Sequence, residues 1–420
     1  MPVDERQHVL RTSDLDYPLP QELVAIHPVS PRDAARLLVL GGEGLATRHL
    51  HVRDLPELLR AGDLLVLNST RVLPARFIGT RTDTGGKVEG LFVSVWRGET
   101  GIVEEGSDET QLRWSVMLKA RRTRPRVRIS LSSHGGGASG VELELLSRAP
   151  GPEGVDSGEW LVNVHGARSG EHTVALLERI GLTPLPPYIR QARKGENLGT
   201  GAAARNEPTD AGDSAVYQTV FADASPPVGH DAVHDVPGSV AAPTAGLHFT
   251  PELLSRLEAR GVRSANVTLH VGLGTFKPVE TEFVEQHPMH AEWCHIPEGT
   301  CRAVRETRAR GGRVIAVGTT SARTLESFGS LASCPVEGLA AWTRLLVTPG
   351  YRFKHVSGLL TNFHLPRTTL LALVAAITPC GVERLMQAYR EAMGERYRVF
   401  SYGDAMLVLP SAGPLSTGDG

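Results

Sequence analysis

Two histidines stand in unusual company. In VAAPTAGLHFT, residues 240–250, an apolar run breaks at Pro243 and gives Thr244, Ala245, Gly246 and then His248 ahead of Pro251. In VTLHVGLGTF, residues 267–276, another apolar run ends in His270 and continues through Gly272, Gly274 and Thr275. Imidazole is the usual proton shuttle near neutral pH, and small residues let a backbone come close to a bound molecule. The pattern fits a small-molecule site in which protons move. Its plainer reading is tight turn packing around structural histidines.

Three further stretches put polar side chains just past apolar runs. NSTRVLPAR (68–76) places Asn68, Ser69, Thr70 and Arg71 there, VGTTSARTLES (317–327) places Thr319, Thr320 and Arg323, and TNFHLPRTTL (361–370) places Asn362 and His364. The carboxyl ends of strands are where α/β folds hold ligands. Free N–H groups at a helix start, joined by threonine hydroxyls, suit a carboxylate or phosphate, whereas capping alone explains one hydroxyl of the three in TTS. Arg71 or Arg323 would best hold an anion, through bidentate contacts. HPMHAEWCH (287–295) offers His287, His290, Glu292, Cys294 and His295. Its H-x2-H-x3-C spacing could supply three zinc ligands, but it lacks a second half, and no metal is expected. There is no P-loop, no GxSxG nucleophile and no glycine-rich strand-to-helix loop of the dinucleotide kind.

Positioning such groups takes a layered scaffold. ARLLVL (35–40), a helix near 54–60 and the strand DLLVLN (63–68) lead in. From 72 to about 165 short alternating runs (VRISLS, VELELL, WLVNV) are separated by Gly- and Ser-rich turns such as SSHGGGASG, which reads as a small antiparallel β-barrel or sandwich. TVALLERI (173–180) reads as a helix, and from 238 to 410 strands alternate with helical stretches, the signature of α/β layers. The expected architecture is an α/β main domain from residues 1–71 plus 170–410, with an antiparallel β-barrel inserted over 72–169 and a disordered tail at 411–420. QARKGENLGTGAAARNEPTDAGDSA (191–215) has no periodic apolar face and reads as a flexible loop. Gly90, inside GGKVEGLFVS, marks a bulge.

Composition sets the class. The 420 residues are 41% hydrophobic and 21% charged with a net charge of −2, ordinary for a globular enzyme and without a global basic field for nucleic acid. Only five of the 44 basic residues are lysine. KARRTRPRVR (119–128) is locally cationic. In an extended segment Arg122, Arg124, Arg126 and Arg128 would line one face, and Pro125 would confine that strand to an edge. The row suits phosphate contacts or, equally, a charged guard against edge aggregation. The apolar run LLALVAAI (370–377) falls well short of the roughly 20 residues a bilayer needs. MPVDERQHVL lacks the features of a signal peptide, and the four cysteines show no CxxC spacing. The expectation is a cytoplasmic protein with free thiols, and nothing demands more than a monomer.

Thirteen blocks then carry a resemblance: DYPLPQELVAIHP, RDAARLLVL, GDLLVLNSTRVLPAR, GGKVE, LPLPPYIR, YQTVFA, GSVAAPTAGLHFT, VTLHVGLGTFKPV, HPMHAE, RVIAVGTTSARTLES, PGYRFK, TNFHLPRTTLLALV and YRVFSYGDAMLVL. In this order, from residue 14 to about 409, the chain resembles the S-adenosylmethionine:tRNA ribosyltransferase-isomerase family of queuosine biosynthesis. The resemblance implies transfer and isomerisation of the ribosyl part of S-adenosylmethionine onto 7-aminomethyl-7-deazaguanine in the tRNA wobble position, giving epoxyqueuosine, adenine and methionine. It implies S-adenosylmethionine as co-substrate, no further cofactor, tRNA carrying the precursor as partner, and no membrane. It makes His248, His270, Thr244 and Thr320 the expected catalytic groups. Asn68, Arg71, Pro243, Ala245, Gly246, Gly272, Gly274, Thr275, Thr319, Arg323, Asn362 and His364 become the expected substrate contacts, and Arg122, Arg124, Arg126 and Arg128 the expected tRNA contacts. An S-adenosylmethionine-dependent RNA methyltransferase and a non-catalytic tRNA-binding protein are the alternatives. The long 191–215 segment and the barrel decorations at 98–110 depart from the family pattern, as does Ala322 where valine is common.

Overall fold

The computed structural model describes residues 9–41, 46–96, 112–133, 136–150, 156–199, 210–223, 238–272 and 278–409. The chain opens with strands β1 (Arg36–Leu40) and β2 (Arg48–His51), the single turn α1 (Leu55–Leu58) and β3 (Leu64–Asn68). Six strands follow: β4 (Arg76–Arg81), β5 (Lys87–Val95), β6 (Arg113–Lys119), β7 (Arg128–Ser132), β8 (Ala138–Pro150) and β9 (Asp156–His165). Helices α2 (Thr173–Ile180), α3 (Pro187–Gly199), α4 (Asp210–Val216) and α5 (Pro251–Ala259) lead to β10 (Arg263–Leu269) and β11 (Glu292–Ile296). The remainder is α6 (Glu298–Ala309), β12 (Val314–Val317), α7 (Thr319–Glu326), β13 (Leu339–Thr343), β14 (Gly358–Asn362), α8 (Thr369–Ile377), α9 (Gly381–Gly394) and β15 (Ala405–Val408).

Nine strands form one mixed sheet in the order β13-β11-β10-β3-β12-β14-β15-β1-β2. Its centre is β10-β3-β12-β14, four strands paired in parallel. Such strands must be apolar on both faces, and LLVLN of β3 and VIAV of β12 are buried throughout. Period-two alternation divides them between two cores. Leu64, Val66, Val314 and Ala316 pack against residues of α6, α7, α8 and α9, while Leu65, Leu67, Ile315 and Val317 pack against Leu253 and Leu257 of α5. The result is an α/β layer structure with helices on both faces. No single described helix is long and apolar enough to cross a membrane.

Strands β4 to β9 close into a six-stranded antiparallel barrel in the order β4-β5-β6-β9-β8-β7. Its interior is filled by side chains including Phe77, Phe92, Trp114 and Leu143, and α2 adds Leu176, Leu177 and Ile180 to the same core. The barrel meets the rest of the fold through the bridge of Val72 to Ser239 and that of Arg76 to Leu182.

Three local expectations are corrected. The arginine row is not a strand. Residues 120–127 connect β6 to β7, with Arg122 and Arg126 in the left-handed region at φ 52° and 67°. A closed barrel has no edge for an edge strand to occupy. Buried Arg81 instead grips the connection, donating to the carbonyls of Arg121 (2.8 Å) and Arg122 (3.2 Å) while Asp83 holds its other nitrogens. Arg122, Arg124 and Arg126 are exposed, and Arg128 opens β7 beside Glu142 and Glu144 at 3.8 and 3.7 Å.

The expected loop at 191–215 contains the second half of α3 and most of α4, with 200–209 outside the described residues. The apolar face it lacks is replaced by a polar anchor. Arg193 donates to the Ile26 carbonyl and pairs with Asp213 at 2.9 Å. Gly90 lies in regular register with Phe77 and Leu118, and the nearby register shift comes later, between Phe92 and Ser94. A β-carbon on Gly90 would sit 2.2 Å from the Phe77 ring, so close packing rather than a bulge requires the glycine. The 98–110 decoration and the 411–420 tail lie outside the described residues.

Candidate active site

Because β10, β3, β12 and β14 are neighbours and parallel, their carboxyl ends lie along one edge of the sheet. His270, Asn68, Gly318 and Asn362 stand at those ends, where α/β sheets present ligand groups. Asn68 clasps the strand ends: its Oδ1 accepts from the N–H groups of Leu269 (3.1 Å) and Thr70 (3.2 Å), and its Nδ2 donates to the Leu269 carbonyl (3.0 Å). Thr70 Oγ1 lies 2.9 Å from His270 Nδ1. The His270 ring stacks on Trp293 with centroids 5.1 Å apart, and Trp293 stacks in turn on His295. His270 is thereby held at one nitrogen and over one ring face.

A second group forms on the α5 face. Residues Thr244–His248 make a 3-10 turn directly after Pro243. The Thr244 hydroxyl donates to Asn362 Oδ1 (2.9 Å), and Asn362 Nδ2 donates to the Phe400 carbonyl (3.1 Å) and to His248 Nε2 (3.1 Å). This fixes His248 as a neutral imidazole that accepts at Nε2. Phe400 holds φ at 73°, a state a bulky residue keeps only when its surroundings enforce it. Gly246 is small for a packing reason, since a β-carbon there would meet the Phe221 ring at 2.7 Å and Thr219 at 2.9 Å.

Burial lowers the His248 pKa to about 4, the nearby Asp404 carboxylate opposing the shift only in part. Burial likewise lowers His364 to about 4. Unfolded histidine titrates near 6.5, so between pH 6.5 and 4 the unfolded chain binds more protons than the folded one. Stability is therefore expected to fall as pH drops through that window, by a few kcal/mol in all. Asp63 extends the loss to lower pH. Burial alone would raise its pKa, but the Arg313 guanidinium and the N–H groups of Arg60 and Arg313 outweigh this and hold it below its ordinary value. Urea midpoints at pH 7.5, 6, 5 and 4 measure the effect, and a flat profile from 7.5 to 5 would contradict it.

The third group belongs to α7. Gly318, at φ 87°, caps the helix without a side-chain hydrogen bond. The first N–H groups of any helix lack intrahelical acceptors. Ser321 Oγ is spent on the Val317 carbonyl, whereas Thr320 Oγ1 is buried with no partner among the described residues. One turn on, Arg323 Nη1 pairs with Glu292 Oε2, its Nε donates to the Leu345 carbonyl (3.1 Å), and its Nη2 has no partner among the described residues. Glu292 Oε1 accepts from the Gly272 N–H (2.9 Å). Both side chains of this pair are 4% exposed. They border a small cleft of about 20 Å³, lined by His287 and His290 as well as by apolar Met289, Leu345, Val347 and Leu370.

The expected residues thus divide. Thr244, His248 and Asn362 gather on the α5 face, His270 and Thr70 at the β10 and β3 ends, and Thr319, Thr320 and Arg323 on α7. His364 is bonded to Thr361 Oγ1 (2.8 Å), a residue that points away from Asn362 along β14. Arg71 turns toward α2 and pairs with Glu178 at 3.0 Å. Gly274 and Thr275 lie outside the described residues. Among those residues no group of three His, Cys, Asp or Glu is placed to hold a metal, and Cys294 is buried among apolar neighbours. The site residue absent from the sequence expectation is Glu292. A carboxylate opening the wholly buried strand EWCHI needs a cation, and that was its signal.

The model for the family described as queuosine biosynthesis protein matches residues 12–408. The chain belongs to this family. It is 45% identical over 413 residues to the S-adenosylmethionine:tRNA ribosyltransferase-isomerase of Gloeobacter violaceus, covering 98% of this chain and 99% of that protein. With the protein of the same name from an Anaeromyxobacter species it shares 46% identity over 399 residues, 95% of this chain and 99% of that one. A crystal structure of S-adenosylmethionine tRNA ribosyltransferase from Thermotoga maritima is 31% identical, covers 94% of this chain and 100% of that chain, and superposes with a TM-score of 0.46.

Proposed function

We propose that this family member moves the ribosyl unit of S-adenosylmethionine onto 7-aminomethyl-7-deazaguanine in the tRNA wobble position, isomerising it to the epoxycyclopentanediol of epoxyqueuosine and releasing adenine and methionine. The observation that carries the reading is likeness at 45% identity over nearly the whole length to a protein of that name. A proton leaves the ribose carbon next to sulfur, adenine is expelled, and the precursor amine attacks. The sulfonium is itself the electron sink, so the reaction needs no separate cofactor. His248 and His270 are the proposed proton carriers, with the Thr244 and Thr320 hydroxyls beside them. Pro243, Ala245, Gly272, Thr319, Arg323 and Asn362 complete the proposed substrate contacts. Asn68 and Gly246 support these from behind.

In the same reading the tRNA backbone lies against exposed Arg122, Arg124 and Arg126 on a barrel domain of residues 72–169. That domain is inserted into a catalytic domain of 1–71 plus 170–410, and the protein works as a cytoplasmic monomer. Purified protein given S-adenosylmethionine and precursor-bearing tRNA is expected to release adenine in step with tRNA modification. Formation of S-adenosylhomocysteine would make it a methyltransferase, and a tRNA shift on a gel without turnover would make it a binding protein.

A further inference from the structure

We propose that Trp342 is a stacking platform for an unpaired base of the tRNA anticodon loop, next to the wobble nucleotide. The inference rests on the ribosyl-transfer reading and names how the RNA substrate of that reading is held beside His270.

Strand register carries it. The His270 N–H donates to the Trp293 carbonyl at 3.0 Å, and β11 pairs Trp293 with Trp342 of β13. Directly opposed residues share a face of a sheet, so His270, Trp293 and Trp342 form one row across three strands. The middle of the row is fixed. Trp293 is buried, and its ring lies nearly parallel to both His270 (20°) and His295 (12°). The opposite face is closed, with Leu269, Cys294 and Ala341 packed beside Phe328.

The row ends in the open. Strand β13 is the last of the sheet, and Ala340 and Trp342 alternate outward from it. Trp342 is 52% exposed, and no other aromatic ring among the described residues is exposed. An indole left in water gives up the burial that normally stabilises it, and an apolar side chain on an edge strand invites wrong pairing. A partner that covers the ring removes both costs.

Geometry selects that partner. Two strand-to-strand steps of about 5 Å each put Trp342 roughly 10 Å from His270, within reach of a splayed base whose neighbour occupies the site. A small ligand is normally enclosed over most of its surface. A single ring on an outer strand suits instead a base whose backbone is held elsewhere, because stacking needs only a π-face. Arg344, two residues on, adds an exposed cation for the adjoining phosphate.

Fluorescence anisotropy of a labelled, precursor-bearing anticodon stem-loop, titrated with the full chain, tests this. Trp342→Ala is expected to bind it roughly 10-fold more weakly, the scale of one base stacked on an aromatic ring. Trp342→Phe is expected to regain most of the loss, and S-adenosylmethionine is expected to bind both variants as it binds the wild type. Should Trp342→Ala fail to fold, Trp342→Leu keeps the apolar bulk without the π-face and reads the same loss. Stem-loops with an abasic site on the 5′ or the 3′ side of the wobble position locate the base. One of them is expected to lose the same factor against the wild type and nothing further against the Trp342 variant. Undiminished RNA affinity in the variant, or fully additive losses with both abasic stem-loops, would overturn the platform and leave ribosyl transfer standing. So would a loss confined to S-adenosylmethionine, or wild-type self-association that the variant abolishes with RNA affinity intact. A wild type that neither binds the stem-loop nor releases adenine would overturn both.

Discussion

Glu326→Ala is expected to destabilise the fold by about 3 kcal/mol or more, because two buried N–H groups would each lose their acceptor at about 1–3 kcal/mol and a part-buried third would lose its own. The Glu326 carboxylate, 3% exposed, accepts from the backbone of Lys354 (2.8 Å), His355 (2.9 Å) and Val356 (2.9 Å) and from the Tyr351 hydroxyl (3.1 Å). It is the last residue of α7, so it also fixes the helix whose other end carries Thr319 and Thr320. Glu282→Ala is the contrast. Its ion pair with Arg11 is more than half exposed on both sides and is expected to be worth well under about 1 kcal/mol. Denaturant titration of both variants checks the order, and a loss below about 1 kcal/mol for Glu326→Ala would remove the carboxylate as a keystone of the helix.

His248→Ala and His270→Ala, made singly, are each expected to lower turnover at saturating S-adenosylmethionine by about 10²-fold or more, the scale of general acid–base help. His248 is neutral at working pH and its Nε2 lone pair is aimed by Asn362, which Thr244 and the Phe400 carbonyl orient in turn. For His248 to take up a proton at Nε2, Asn362 would have to give way first. His270 is held by Thr70 on one nitrogen and by Trp293 on one face. A variant that melts early yet turns over normally would show that histidine to be structural. Full activity in both would leave Thr244 or Thr320 as the groups that move protons.

The strand ends were legible because each pairs an apolar run with a burst of small polar residues, as at Asn68, Gly318 and Asn362. Pattern reveals which face of a strand is buried, but not which distant side chain meets it. Glu292 and Arg323 find each other only once β10, β11 and α7 are packed, so the local sequence marked each residue but not the pair. His364 lies two residues from Asn362 in sequence but bonds Thr361 on the other side of the strand, a division that motif spacing hides. The arginine row misled for a third reason. Alternation assumes extended backbone, and two left-handed residues together with the grip of Arg81 bend that segment out of any strand. The helices at 187–199 and 210–216 escaped notice because their apolar anchors, Tyr188, Ile189 and Val216, lie just outside the 191–215 stretch, within which the Arg193–Asp213 ion pair joins them.

The place of β3 sets the order in which the chain can assemble on the ribosome. Its partners β10 and β12 begin at Arg263 and Val314, about 200 and 250 residues after Leu64. At about 5–20 residues per second, LLVLN waits roughly 10–50 s before either neighbour emerges. All the barrel strands are synthesised within that interval and pair only with one another. A nascent chain from which residue 180 has emerged should therefore carry a closed barrel beside a bare, two-sided apolar strand, the kind of segment that holdase chaperones bind. Newly made protein is accordingly most prone to aggregate before its sheet is complete, whatever the stability of the finished fold.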